Sequence, residues 1–220
     1  MIYYAIIGDI KASKELSNRK ETQDALNCVL KEVNTAYETE IAANFLITLG
    51  DEFQGLLKTA GHLLEIVKYI QRRMYPVKLR FGIGAGEIST KIDRAAAIGA
   101  DGPAFYAARE MITEIREREN RYKKQAADIQ MDCYGRAVFA VRAINTMLSL
   151  LKVIEDSWTE KQRYTIWDMM IHQGSQEMCA ARMGTSQSTV ARRLQDGKYV
   201  VYEHALDTVA EAMRKLEESV

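Results

Sequence analysis

Leu49-Gly50-Asp51-Glu52-Phe53-Gln54-Gly55 joins two strand-like runs, Asn44 to Leu49 and Phe53 to Leu57, at a tight turn whose Gly50 tolerates positive φ. The reading is a hairpin with acidic residues at its tip. Upstream, Ile2 to Ile7 is a continuous apolar run that suits a strand buried on both faces, and Gly8-Asp9-Ile10 follows it. In a βαββαβ unit the crossover rule makes this first strand parallel to the second, which puts its C-terminal end beside the hairpin tip. Asp9 and Asp51 then face each other. Two carboxylates held together repel unless a cation lies between them, and hard oxygen ligands suit Mg²⁺ or Mn²⁺. The alternative is that Asp9 caps the segment after it and Asp51 makes the turn.

The remaining elements of that unit are legible around the hairpin. Leu26, Val29, Leu30, Val33 and Tyr37 repeat at helical intervals ahead of it, and Leu63, Ile66, Val67, Ile70 and Met74 do so after it, up to the proline of Tyr75-Pro76. Val77, Leu79, Phe81, Ile83 and Ala85 then alternate with Lys78, Arg80, Gly82 and Gly84, the period of a strand. Bare glycines at Gly82, Gly84 and Gly86 predict close approach of a ligand or of another backbone, a nucleotide base or a dimer partner serving equally. Ser13, just beyond the first strand, offers a hydroxyl to a phosphate or an ordinary cap to the first helix. Ile98 to Pro103, including Asp101 and Gly102, is loop chemistry leading into a helix with Ala104, Phe105, Ala108, Met111, Ile112 and Ile115 on one side. That helix ends in the charge run Arg116 to Lys124, which reads as a solvated face.

Composition excludes several classes. With 220 residues, 47% of them hydrophobic, the chain has enough apolar surface for one large or two small cores. Thirty basic and thirty acidic residues give a net charge of +0, so no global field draws it to nucleic acid or membrane. The 3 cysteines have neither disulfide-framework nor zinc spacing, and no apolar run approaches the ~20 residues of a membrane span. A reduced, cytoplasmic protein with no membrane partner is the expectation.

The last third differs in texture. Residues 135–155 form a helix apolar on nearly every side, the pattern of a buried connector or dimerisation element. Beyond it, Ala180 precedes Gly184 by four and Val190 follows by six, the geometry of a helix-turn-helix: a small residue at the crossing, a glycine at the turn, an apolar lock on the second helix. Thr185-Ser186 caps that second helix, and Gln187, Ser188, Arg192 and Gln195, with Arg193 beside them, form the DNA-binding set. Charge argues the other way: from Asp156 to Val220 eight basic residues stand against ten acidic, net −2, so a trihelical protein-contact module is the alternative.

The strings IIGDIKAS (6–13), TLGDEFQGLL (48–57), RFGIGAGEIST (80–90), IGADGPAFYAAR (98–109) and WTEKQR (158–163) resemble the SatD family over nearly the whole chain. More distantly, the first domain is similar to the palm of class III nucleotide cyclases and of the GGDEF type. That resemblance implies metal ligands at Asp9 and Asp51 and a nucleotide site, for which Ser13, Gly82, Gly84, Gly86, Asp101 and Gly102 are the candidates. It also implies transition-state groups on the helix after a GxxVN-like motif, where Gly102 and Phe105 fit, Tyr106 replaces the asparagine and Arg109 falls one residue early. Losing an oriented donor there commonly costs ~10² or more in rate.

The expectation is thus an α+β chain: a ferredoxin-like, nucleotide-cyclase-like palm at 1–134, a connecting helix at 135–155 and an all-α helix-turn-helix domain at 156–220. Its predicted function is a cytoplasmic, homodimeric transcription regulator that senses a nucleotide with Mg²⁺ or Mn²⁺ and binds DNA. The alternatives are an active divergent nucleotide cyclase or phosphoryl-transfer enzyme using two divalent metals, with Tyr106 and Arg109 as catalytic candidates, and an interaction module that does not bind DNA.

Overall fold

The computed structural model describes residues 1–13, 16–122, 127–134 and 137–216. The chain is α+β, a five-stranded mixed sheet with helices followed by an all-helical region, and it divides into two compact units, Met1–Asn145 with Ala210–Val220, and Thr146–Val209. None of the described helices is long and apolar enough to cross a membrane.

The sheet is built around β1 (Tyr3–Ile10), buried from Tyr4 onward as its unbroken apolar run requires. β2 (Ile41–Leu49) and β3 (Glu52–Leu57) form the hairpin, with Gly50 at φ +65 in its turn. With β4 (Leu79–Gly86) and β5 (Ile129–Asp132) the order is β2-β3-β1-β4-β5; β1 is antiparallel to both β3 and β4, and β5 runs parallel to β4. β1 and β2, both antiparallel to β3, therefore run parallel to each other, the crossover geometry the sequence implies. β5 has no sequence counterpart in that reading: four residues with two polar side chains are too short to show a period.

α1 (Arg19–Ala36) and α2 (Leu63–Met74) pack against each other and bury the apolar stripes read from the sequence. α3 (Pro103–Tyr122) lies on the sheet face that carries Ala5 and Ile7 of β1 and Leu56 of β3. The three glycines of β4 are the reason it can lie so close. A Cβ at Gly84 would sit 1.9 Å from the carbonyl oxygen of Ala104, and one at Gly82 2.1 Å from that of Ala108. Of the approaches expected at Gly82, Gly84 and Gly86, a ligand or another backbone, the one observed is the backbone of the chain's own α3.

α4 (Val138–Ser157) buries only one stripe, Val141, Ile144, Leu148 and Leu151, while Val138, Phe139, Leu150 and Val153 are exposed. Its all-round apolar composition therefore does not make it all-round buried. α5 (Glu160–His172), α6 (Gln176–Arg182), α7 (Gln187–Asp196) and α8 (Tyr199–Leu216) complete the chain, with α5, α6 and α7 in mutual contact.

Candidate functional site

Asp9 is the last residue but one of β1, on the α3 side of the sheet, and is 2% exposed. Its register partners are Glu52, the first residue of β3, and Arg80 on β4. Both carboxylate oxygens are taken by guanidinium groups: Arg80 Nη1 donates to Oδ1 over 2.9 Å, and Arg116 of α3 donates from Nε to Oδ2 over 2.8 Å and again from Nη2. Arg80 continues to Glu119, one helical turn after Arg116, with Nε 2.7 Å from Oε2. Lys11 then bridges Glu119 and Asp128, while Arg116 Nη2 lies 3.9 Å from Glu52.

This is a charge network of three cations and four carboxylates drawn from β1, β3, β4, α3 and the approach to β5. Burial alone would raise the Glu119 carboxyl, but hydrogen bonds and charge from Lys11 and Arg80 hold it below the usual carboxylate range. Burial likewise acts to lower the Arg80 pKa, and Glu119 and Asp9 reverse it, so it lies above the ordinary value.

The hairpin tip thus neighbours Asp9 as the crossover geometry implies, yet the positive charge beside Asp9 comes from Arg80 and Arg116. Asp51 lies in the turn, partly exposed. Among the described residues no group of three or more His, Cys, Asp or Glu side chains is placed to hold a metal ion. Two residues that decide the electrostatics were missed in the sequence. Arg80 reads as an outward position of an alternating strand, and Arg116 opens a charge run read as solvated. The available signal was the pairing of Arg116 with Glu119 at i, i+3 and the placement of Arg80 on the glycine face.

The other palm candidates splice the chain into α3. Asp101 accepts from the Tyr106 hydroxyl over 2.7 Å; its own N–H donates to Thr90 Oγ1 and its carbonyl accepts from the Ser89 N–H. The hydrogen bond to Asp101 raises the Tyr106 pKa. Gly102, at φ +147, passes within 2.7 Å of the Glu87 carbonyl when a Cβ is placed on it. Arg109 is exposed on α3, and Ser13 lies partly exposed just after β1.

In the second unit, local chemistry fixes α5 to α7. Thr159 and Gln162 form a capping box at the start of α5, and Ser175 and Ser186 cap α6 and α7 by accepting from Met178 and Thr189 N–H groups. Gly184 at φ +60 makes the turn between α6 and α7, where an L side chain would be strained. Cys179, Ala180, Val190 and Leu194 are buried between the helices, and burial pushes the Cys179 thiol up to about 11. Trp158, the first residue of the WTEKQR string, donates from Nε1 to the Gly197 carbonyl over 2.7 Å and packs edge-on against Tyr202 at 4.7 Å.

The side of α7 away from Val190 and Leu194 exposes Ser188, Arg192 and Gln195, and Gln187 is exposed in the first turn of the helix. Gln187 Nε2 donates to Gln176 Oε1 over 2.7 Å, which ties the start of α7 to the start of α6. Arg193 differs from these four: it is half-buried, and its Nη1 donates to Thr165 Oγ1 over 3.3 Å. Arg182 pairs with Asp168 through Nε and Nη2, and Arg163 lies 5.4 Å from the Trp158 ring and 5.6 Å from that of Trp167. Lys161, Arg192 and Lys198 remain as exposed cations outside the ion pairs described.

Solved structures that share features of this fold include the following three. A bacterial light-regulated adenylyl cyclase matches at 11% identity and TM-score 0.42, over 59% of this chain and 74% of that one. The adenylyl cyclase CyaB from P. aeruginosa matches at 15% and 0.38, over 62% and 89%. A regulator of polyketide synthase expression from Bifidobacterium adolescentis matches at 13% and 0.28, over 99% and 86%. At such values these are distant likenesses of shape. No curated protein matches the chain. The SatD family model does match, over residues 3–213, and the chain belongs to the SatD family.

Proposed function

We propose that this SatD family protein is a DNA-binding regulator, a ferredoxin-like palm joined to a helix-turn-helix formed by α6 and α7, with α7 as the reading helix. One observation carries the proposal: α7 is locked from within by Val190 and Leu194 and capped by Ser186, while Ser188, Arg192 and Gln195 share its outer side and Gln187 is exposed in its first turn. Amide and guanidinium groups on one exposed helix face are the chemistry that pairs with base edges and phosphates. With Lys161, Arg192 and Lys198 as the exposed cations of the second unit outside the ion pairs described, phosphate neutralisation by one copy is weak, which favours two copies on paired half-sites.

The palm serves this regulator as a non-catalytic body. The positive charge that a cation would bring to Asp9 is already supplied by Arg80 and Arg116, and a divalent ion there would have to displace both. The test is selection by the full-length protein from a pool of random-sequence 30-base-pair duplexes. Enrichment of a common sequence by the wild type, lost in Gln187→Ala and Arg192→Ala, supports the proposal. Absence of enrichment at low salt defeats it.

A further inference from the structure

The two outer strands of the sheet are closed by the same device. On β2, the Phe45 N–H donates to Asn34 Oδ1 over 2.8 Å, and Asn34 Nδ2 donates to the Phe45 carbonyl over 2.9 Å. On β5, the Met131 N–H donates to Asn145 Oδ1 over 2.9 Å, and Asn145 Nδ2 donates to the Met131 carbonyl over 2.8 Å. A carboxamide carries the same donor and acceptor as a peptide group, so each asparagine bonds its strand as a residue of one more strand would. The helices that carry them are unrelated: Asn34 is in the last turns of α1, Asn145 in the first half of α4.

The placement is selective. Phe81 N–H donates to the Asp128 carbonyl, so in the parallel ladder the peptide groups of Gln130 point to β4 while those of Ile129 and Met131 point to the free edge. Asn145 therefore satisfies one of the two outward residues of a four-residue strand. On β2 the register shifts between Ala43 and Leu46, and beside Phe45 the Asn44 N–H is also taken, by the Arg94 carbonyl at 3.1 Å. An uncovered edge is a template for another strand.

We infer that Asn34 and Asn145 are edge locks: each completes one border of the sheet and holds it at five strands, against pairing with a sheet edge of a second copy of the chain. Leucine has nearly the shape of asparagine and neither hydrogen-bonding group, whereas lysine bares the edge but keeps it charged and apart. The test measures amide hydrogen exchange and, by light scattering over a concentration series, the mass of the full-length protein. Asn34→Leu is expected to speed exchange at Phe45, and Asn145→Leu at Met131, each roughly tenfold for one lost hydrogen bond. Both are expected to show concentration-dependent association beyond the wild type, with Asn34→Lys and Asn145→Lys exchanging as fast without the added association. Leucine variants that keep the wild-type mass series overturn the inference, and so does association that the lysine variants show equally.

Discussion

Arg116 Nε stands 2.8 Å from Asp9 Oδ2, so a helix that crosses the sheet supplies the charge for a carboxylate buried at the end of the central strand. The relationship accounts for how an acid with 2% exposure is tolerated there: its oxygens are bonded by Arg116 and by Arg80, and Arg80 is itself held by Glu119. Such networks stabilise only when complete, because removing one member leaves an uncompensated charge.

Arg80→Met is accordingly expected to lower stability by about 3–5 kcal/mol, the cost of breaking a buried pair from one side. Asp9→Asn in the same chain should recover part of that loss. Urea unfolding of the two single variants and the double variant checks it, and additive losses would show that the two residues do not interact.

Glu119 gives the network a pH dependence. Its folded-state pKa is lowered, so the unfolded chain binds the proton more readily. The contribution is present above the unfolded carboxylate value and is lost as pH falls through the lower folded value. Stability measured from neutral pH down into the acid range should therefore fall less steeply in Glu119→Gln than in the wild type. An identical slope would remove Glu119 from the account.

Gly84→Ala tests the contact between α3 and β4. The new Cβ would meet the Ala104 carbonyl at 1.9 Å, and both groups are backbone, so helix and strand must separate. A loss of about 1–3 kcal/mol is expected, as for overpacking elsewhere. Thermal melting beside Gly61→Ala, where the nearest atom is a side-chain oxygen at 3.4 Å, provides the comparison.

Incubation with Mn²⁺ and each nucleoside triphosphate is expected to yield no cyclic nucleotide and no rise in melting temperature. A Mn²⁺-dependent rise that Asp9→Asn and Asp51→Asn both abolish would show that a cation displaces the two arginines.

How much of this was legible depends on what each residue type records. β1 and the hairpin were readable because an unbroken apolar run and a glycine turn each have one simple structural meaning. Gly82 and Gly84 were readable only as sites of close approach, because a missing Cβ does not say whether a ligand, a partner or the chain's own α3 comes near. Arg80 and Arg116 were hidden by local pattern: one alternates as an outward strand residue, the other begins a charge run, and only the sheet order brings both to Asp9. Across α6, the turn and α7, the small, glycine and apolar positions at Ala180, Gly184 and Val190 were legible from spacing. That Arg193 turns to Thr165 while Arg192 stays outside was not, since neighbouring residues on a helix differ by about 100° and the phase is fixed by packing.

The most direct measurement is the salt dependence of DNA binding by the full-length wild type, Arg192→Ala and Arg193→Ala on a sequence selected by the wild type. Lys161, Arg192 and Lys198, the exposed cations of the second unit outside the ion pairs described, set a slope of log K against log[salt] of about −3 or shallower per copy, at roughly 0.9 per phosphate neutralised. The account predicts that Arg192→Ala weakens binding and reduces that slope by about 1, while Arg193→Ala lowers the melting temperature and leaves the slope unchanged. Wild-type affinity and slope retained in Arg192→Ala would contradict the assignment of α7 as the reading helix.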